Sequence, residues 1–233
     1  MTATDSKTAL IVGASRGLGY ALTAELLSRG WQVTATERKQ SDLHTLAQSA
    51  NGHLTVENVD ITAPERVAAL RERLAGTTLD LLFVNAGTNY TTDPSATFTD
   101  VSTDDFTRVM VTNALSPMRA VETLKDLVPA SGTIGVMSSG QGSVADNTRG
   151  GFEVYRASKS ALNQLMRSFA ARHADDPRTL LLMAPGWVKT DLGGPSARLT
   201  IDESIPGVVD TIEAHAGKGG LHYLDREGQT VRW

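Results

Sequence analysis

The sequence predicts an α/β protein, an open parallel sheet of about seven strands with helices on both faces, and three observations carry that reading. Short β-branched or aliphatic runs alternate with longer stretches of helical periodicity, the pattern of repeated βαβ units. Runs such as LLFVN and LLLMA are apolar on both faces, as strands are when helices cover both sides of the sheet. Between the first strand and the first helix lies GASRGLG, whose three glycines mark a tight strand-to-helix turn.

In order along the chain, TALIVG is the first strand and a helical pattern follows at 17–29; WQVTAT is the second, followed by a helix at 41–50. HLTVENV is the third strand. The helix at 64–75 opens with Ala63-Pro64-Glu65, where a proline in the first turn loses no hydrogen bond and an acid complements the helix dipole. DLLFVN precedes one long helical pattern at 103–128, TIGVMS precedes 153–173, TLLLMA precedes 202–215, and GGLHYL is the seventh strand. No repeat, low-complexity tract or linker interrupts the series, so residues 1–233 are expected to form one domain.

Composition narrows the function. The chain is 40% hydrophobic and 21% charged, as soluble proteins are. The start, MTATDSKTAL, has no basic segment before an apolar run, and no window approaches the roughly eighteen apolar residues of a membrane span. A cytoplasmic protein with neither signal peptide nor membrane anchor is therefore expected. Without cysteine there is no disulfide or thiolate ligand, and the five histidines form no HxxxH or HExxH spacing, so no metal is expected. A net charge of −4 argues against nucleic-acid or membrane partners and leaves a small molecule.

In doubly wound sheets ligands lie at the carboxyl ends of the strands. After the first strand, Gly13, Gly17 and Gly19 frame Ser15, Arg16 and Leu18; such a turn brings backbone close to a pyrophosphate and aims helix-start N–H groups at it. The sheet is thus expected to be Rossmann-type and the ligand a dinucleotide. Alone the motif is weak, since a glycine-rich βα turn needs no ligand; its place after the first strand strengthens it. The second strand ends in ATERK, with Glu37 twenty positions beyond Gly17, where an acid binds a ribose 2′-hydroxyl and an arginine a 2′-phosphate. Glu37 points to NAD(H); Arg38 and Arg16 point to NADP(H), which two cations against one anion favour. Asp60 and Ile61 close the third strand, and Asp60 suits either the adenine amino group or the turn before Pro64. After the fourth strand come Asn85, Ala86 and Gly87, the last two small enough to leave room for a ribose.

At the reacting end, Tyr155 and Lys159 stand four residues apart on a helix, on one face. A lysine cation beside a phenol moves the tyrosine toward useful acid–base values, although a surface Tyr-Lys pair is the simpler alternative. Ser138 and Ser139 follow the fifth strand, where a hydroxyl can meet a substrate carbonyl or merely form a turn.

Taken together, GASRGLG, Asp60, VNAG, Asn113 in VTNALSP, Ser139, YRASK and PGWVKT resemble the short-chain dehydrogenase/reductase family in order and spacing over nearly the whole chain. GSVADNTRGGFEVYRASKSALN, APGWVKTDLGGPSA and DREGQTVRW are most similar to the subgroup of C-factor and sniffer-type carbonyl reductases. The resemblance implies an NADP(H)-dependent oxidoreductase that interconverts a carbonyl and an alcohol. Tyr155 would be the general acid or base, Lys159 would lower its pKa and bind the nicotinamide ribose, and Ser139 would orient the carbonyl. Asn113 would hold a kinked helix and a relay water; Pro185, Gly186, Val188 and Thr190 would embrace the nicotinamide. The subgroup pattern departs at Glu37, usually a small neutral residue. Alternatives are an NAD-dependent alcohol dehydrogenase and a cofactor-binding sensor of the same fold.

Only LGGPSARLT separates PGWVKT from the next helix, which implies an open site, completed by the insertion GSVADNTRGG acting as a mobile loop. The helix of Tyr155 also carries Val154, Ala157, Ala161, Leu162, Leu165, Met166 and Phe169, a stripe wide enough to predict packing against a second subunit in a homodimer or homotetramer.

Overall fold

The computed structural model describes residues 6–233; the start of the chain, from which the absence of a signal peptide was read, lies partly outside them. Seven strands form one sheet: β1 (Thr8–Val12), β2 (Gln32–Glu37), β3 (Leu54–Asn58), β4 (Leu81–Val84), β5 (Thr133–Met137), β6 (Thr179–Ala184) and β7 (Gly220–Asp225). Their order is β3-β2-β1-β4-β5-β6-β7 and every neighbouring pair is parallel. The order reverses between β1 and β4, the switch point at which such sheets open a crevice.

Alternation along the strands divides the core. Leu10, Val12, Leu82, Val84, Ile134, Val136, Leu180 and Leu182 face α3 (Pro64–Arg73), α5 (Ser116–Leu124) and α6 (Glu153–Arg172). Ala9, Ile11, Leu81, Phe83, Leu181 and Met183 face α1 (Gly17–Ser28), α2 (Leu43–Ser49) and α7 (Ile201–His215). The central strands β1, β4, β5 and β6 are apolar on both sides because each face has its own helical layer. Among the described residues no helix is long and apolar enough to cross a membrane.

One expectation changes. The long helix at 103–128 is broken: α4 (Thr103–Met110) passes into a π-turn over Val111–Leu115 before α5 begins. Pro117 has no N–H to offer the carbonyl of Asn113 four residues earlier, so the α ladder cannot run through this point. The stripe on α6 serves mostly this chain's own core: Val154, Leu162, Met166 and Phe169 are buried, whereas Ala157 is exposed and Leu165 is 40% exposed. The GSVADNTRGG insertion is anchored at its start, where the N–H of Ala145 donates to the carbonyl of Trp233 at 3.0 Å and Asp146 pairs with Arg232.

Candidate active site

The ends of β1, β2 and β4 fix the glycine turn. The N–H of Gly13 donates to Thr36 Oγ1 at 2.9 Å, and Asn85 Nδ2 donates to the carbonyl of Gly13 at 2.8 Å. Gly13 has φ +87°, and a Cβ there would stand 2.8 Å from the backbone of Ala86. A Cβ on Gly19 would stand 2.2 Å from the Gly13 carbonyl oxygen, so helix and turn approach as only glycine permits. Thr36, absent from the sequence reading, is a strut of this turn; its place one residue before Glu37 was the only signal of it.

From the turn a continuous cleft of about 940 Å³ runs past Arg38 and Asp60 to Tyr155 and Trp187. Its size and its backbone-lined end fit a dinucleotide with a small molecule beside it. Ser15, Leu18, Ile61, Asn85, Ala86 and Gly87 all line it, as do Pro185, Gly186, Val188 and Thr190. Asn113 does not; it stands behind the wall.

The two charges at the end of β2 behave differently. Arg38 is exposed, but Glu37 is only 4% exposed, its Oε2 accepting from Ser41 Oγ at 2.6 Å and its Oε1 meeting His44 Nε2 at 2.8 Å. Arg16 also lines the cleft and pairs with Asp191 on the loop after β6. Asp60 fills the turn role, its Oδ1 accepting from Thr62 N and Oγ1 at 2.9 and 2.7 Å. Burial pushes this carboxyl up, but the two Thr62 donors, with Arg38 and Arg66 nearby, outweigh it and hold the pKa below the ordinary range.

At the reacting end the helix of Tyr155 is entered through three left-handed residues, Gly150, Gly151 and Phe152, with φ +63°, +72° and +50°. Phe152 is the strained one, at a cost of order 1–3 kcal/mol, and its ring lines the cleft beside Tyr155. Both serines line the cleft; Ser139 Oγ accepts from Gln141 N at 3.1 Å, whereas Ser138 is buried and its hydroxyl is committed to Asn163 Oδ1 at 2.6 Å. Tyr223 donates its hydroxyl to the carbonyl of Ser139 and so steadies it from β7.

Asn113 is fully buried in the π-turn. Its Oδ1 accepts from Thr88 N at 2.8 Å, and its Nδ2 donates to Thr88 O at 2.8 Å and to Ser158 Oγ at 2.9 Å. Ser158 passes the connection on, donating to the carbonyl of Tyr155 at 2.7 Å. Lys159 is buried with Nζ 2.9 Å from the carbonyl of Met137 and 5.8 Å from the Tyr155 ring centre. Burial pushes Tyr155 up to about 12, with the Ser139 hydroxyl pulling the other way, and pushes Lys159 down to about 8. The lowering of Tyr155 by Lys159 is therefore not the dominant effect here; desolvation is.

Beyond β6, the turn at Gly186 (φ +87°) leads to Trp187, which is 44% exposed and donates its indole N–H to the carbonyl of Gly193 at 2.7 Å. Thr190 Oγ1 accepts from Gly193 N at 3.0 Å, so the short segment forms a folded wall. Trp187 and Phe152 had no role in the sequence reading; an apolar ring beside a motif is indistinguishable from core until the fold shows it exposed.

A short-chain dehydrogenase/reductase from Burkholderia multivorans solved with bound NADP is 59% identical, with TM-score 0.95 over 98% of this chain and 100% of that one. The 1-hydroxy-2-glutathionyl-2-methyl-3-butene dehydrogenase of Rhodococcus sp. (strain AD45) is 30% identical, covering 97% of this chain and 99% of that protein. The carbonyl reductase Sniffer of D. melanogaster is 29% identical, with TM-score 0.88 over 98% of this chain and 100% of that one, in keeping with the subgroup resemblance. The short chain dehydrogenase family model matches residues 7–198, and the seven-stranded parallel sheet carries that family's arrangement: the chain belongs to the short-chain dehydrogenase/reductases and is an oxidoreductase.

Proposed function

We propose that the protein reduces an aldehyde or ketone to an alcohol with NADPH, or runs the reverse reaction. The observation that carries this reading is that Tyr155 and Ser139 line the same cleft as the glycine turn and the exposed Arg38. A bound nicotinamide would supply or accept the hydride. Ser139 would donate a hydrogen bond to the carbonyl oxygen, and Tyr155 would give that oxygen its phenolic proton as the alcohol forms. A phenol near 12 is protonated at neutral pH, the state reduction needs. Lys159 would hold positive charge beneath the ribose, and Asn113 would fix the backbone of Thr88 and, through Ser158, of Tyr155. Arg38 would hold a 2′-phosphate while Glu37 faces its own partners; the NADP of the Burkholderia relative agrees with this. Alcohol dehydrogenation, which names the Rhodococcus relative, and carbonyl reduction, which names Sniffer, are one reaction in two directions. Trp187 and Phe152 favour a carbonyl with an apolar substituent. The homo-oligomer reading is supported by Phe106, Leu115 and Leu165, 39%, 39% and 40% exposed on the layer that includes α6.

Oxidation of NADPH beside NADH by the purified protein, across aldehydes, ketones and diketones, tests this. Turnover is expected with NADPH, and Tyr155→Phe should lower it by at least about a hundredfold with cofactor affinity retained. Unchanged turnover in Tyr155→Phe would overturn the mechanism.

A further inference from the structure

We infer that Ser41 and His44 are positioning residues that draw the Glu37 carboxylate away from the ribose site and so set the preference for a 2′-phosphorylated cofactor. The inference rests on the cofactor reading above and deepens it. An ionised acid at the end of β2 would accept from a ribose 2′-hydroxyl and repel a 2′-phosphate. Here that acid is present beside an arginine, so the sequence carries two opposed instructions.

The fold separates them. The backbone of Glu37 is committed to the sheet, its carbonyl accepting from Val59 N at 2.8 Å. Its carboxylate is engaged at both oxygens, by the Ser41 hydroxyl at 2.6 Å and the His44 ring at 2.8 Å. Opposite a carboxylate the facing ring nitrogen carries the proton and donates. Hydrogen bonds to an ionised acceptor are the strong ones, and although Glu37 borders the cleft, at 4% exposure with both oxygens engaged little of the carboxylate is left for a ribose. Ser41 is itself held, its Oγ accepting from Leu43 N at 3.3 Å at the start of α2. His44 lies on the next turn with its side chain 49% exposed, so its removal leaves the core intact. The result is an acid restrained by the segment that follows it, Ser41 before α2 and His44 on it, next to an exposed Arg38.

The test is calorimetric titration of NADPH and of NADH, without carbonyl substrate, into wild type, Ser41→Ala/His44→Ala, and the same pair in a Glu37→Gln background. Wild type should bind NADPH more tightly. In Ser41→Ala/His44→Ala the freed carboxylate should lower the ratio Kd(NADH)/Kd(NADPH) by about tenfold or more, from both directions. Glu37→Gln should cancel that loss, because the two residues act only through the carboxylate. His44→Gln, which keeps a donor, should hold the ratio near wild type. An unmoved ratio in Ser41→Ala/His44→Ala, or a fall that persists with Glu37→Gln, would overturn the inference while leaving the NADPH reading intact. A wild type that binds NADH as tightly as NADPH would overturn that reading and the inference with it.

Discussion

Lys159 is a buried cation in the wall of the cleft, with the Met137 carbonyl as its polar partner among the described residues, and its burial shows in its proton affinity. Its folded pKa is about 8 against an ordinary 10.5. Below the lower value both folded and unfolded chains carry the proton, and the full cost of burying an ammonium opposes folding. Between the two values the unfolded chain still holds a proton that the folded chain has released, so stability rises with pH across that window. Lys159→Met lacks this dependence. The stability difference between wild type and Lys159→Met should move in favour of wild type by roughly 2–3 kcal/mol from about pH 7 to pH 10, read by urea unfolding. A difference independent of pH would mean that the ammonium is solvated in the folded chain. Tyr155 shifts the other way, up to about 12, so it remains an acid through the same window. The identities of these two residues and their common face were legible from a spacing of four. Their proton affinities were not, because desolvation depends on what other elements bring over them.

At the scale of elements, the π-turn between α4 and α5 ties three parts of the site together. Thr88 comes from the loop after β4, Asn113 from the turn and Ser158 from α6. Asn113→Ala would remove the partner of the half-buried N–H and carbonyl of Thr88 and one hydrogen-bond contact of the buried Ser158. A loss of about 2–4 kcal/mol in unfolding free energy is expected. Turnover should fall as the Thr88 and Tyr155 backbones loosen, while affinity for the adenosine fragment 2′,5′-ADP, which would occupy the far end of the cleft, should be unchanged. Equal loss at both ends would make Asn113 a general structural residue. The turn had a signal in VTNALSP, the proline four residues after Asn113, yet helical periodicity continued through it and predicted one long helix. The strands were legible for a different reason: the apolar runs are short and bounded by turn residues, which separates them from buried helix segments where periodicity alone would not.

At the scale of the molecule, the last strand and the residues after it reach back to the reacting end, a connection no local pattern carries. Tyr223 on β7 donates to the Ser139 carbonyl, Val231 N donates to Tyr223 O at 2.8 Å, and Trp233 lies with its ring centre 5.4 Å from that of Tyr223. The Trp233 ring is covered by the guanidinium of Arg167 from α6 at 4.7 Å, a contact of order 0.5–1 kcal/mol where exposed. The Trp233 carbonyl accepts from Ala145, so the segment clasps the start of the insertion that leads from Ser139 toward Tyr155. DREGQTVRW carries only a family likeness in the sequence; its physical task depends on contacts between residues more than eighty positions apart, such as Trp233 with Ala145. Deleting residues 230–233 should leave the sheet and the glycine turn folded, since none of the strands includes them. Hydrogen exchange should quicken at Ala145 and through 143–151 but not in β1 or β4. The rate of carbonyl reduction should fall by about tenfold or more while NADPH affinity holds, because misplacing Ser139 by a fraction of an ångström costs orientation rather than cofactor contacts. Unchanged exchange at Ala145 would mean that the insertion holds its own shape; faster exchange with unaltered turnover would mean that Ser139 is positioned by β5 alone.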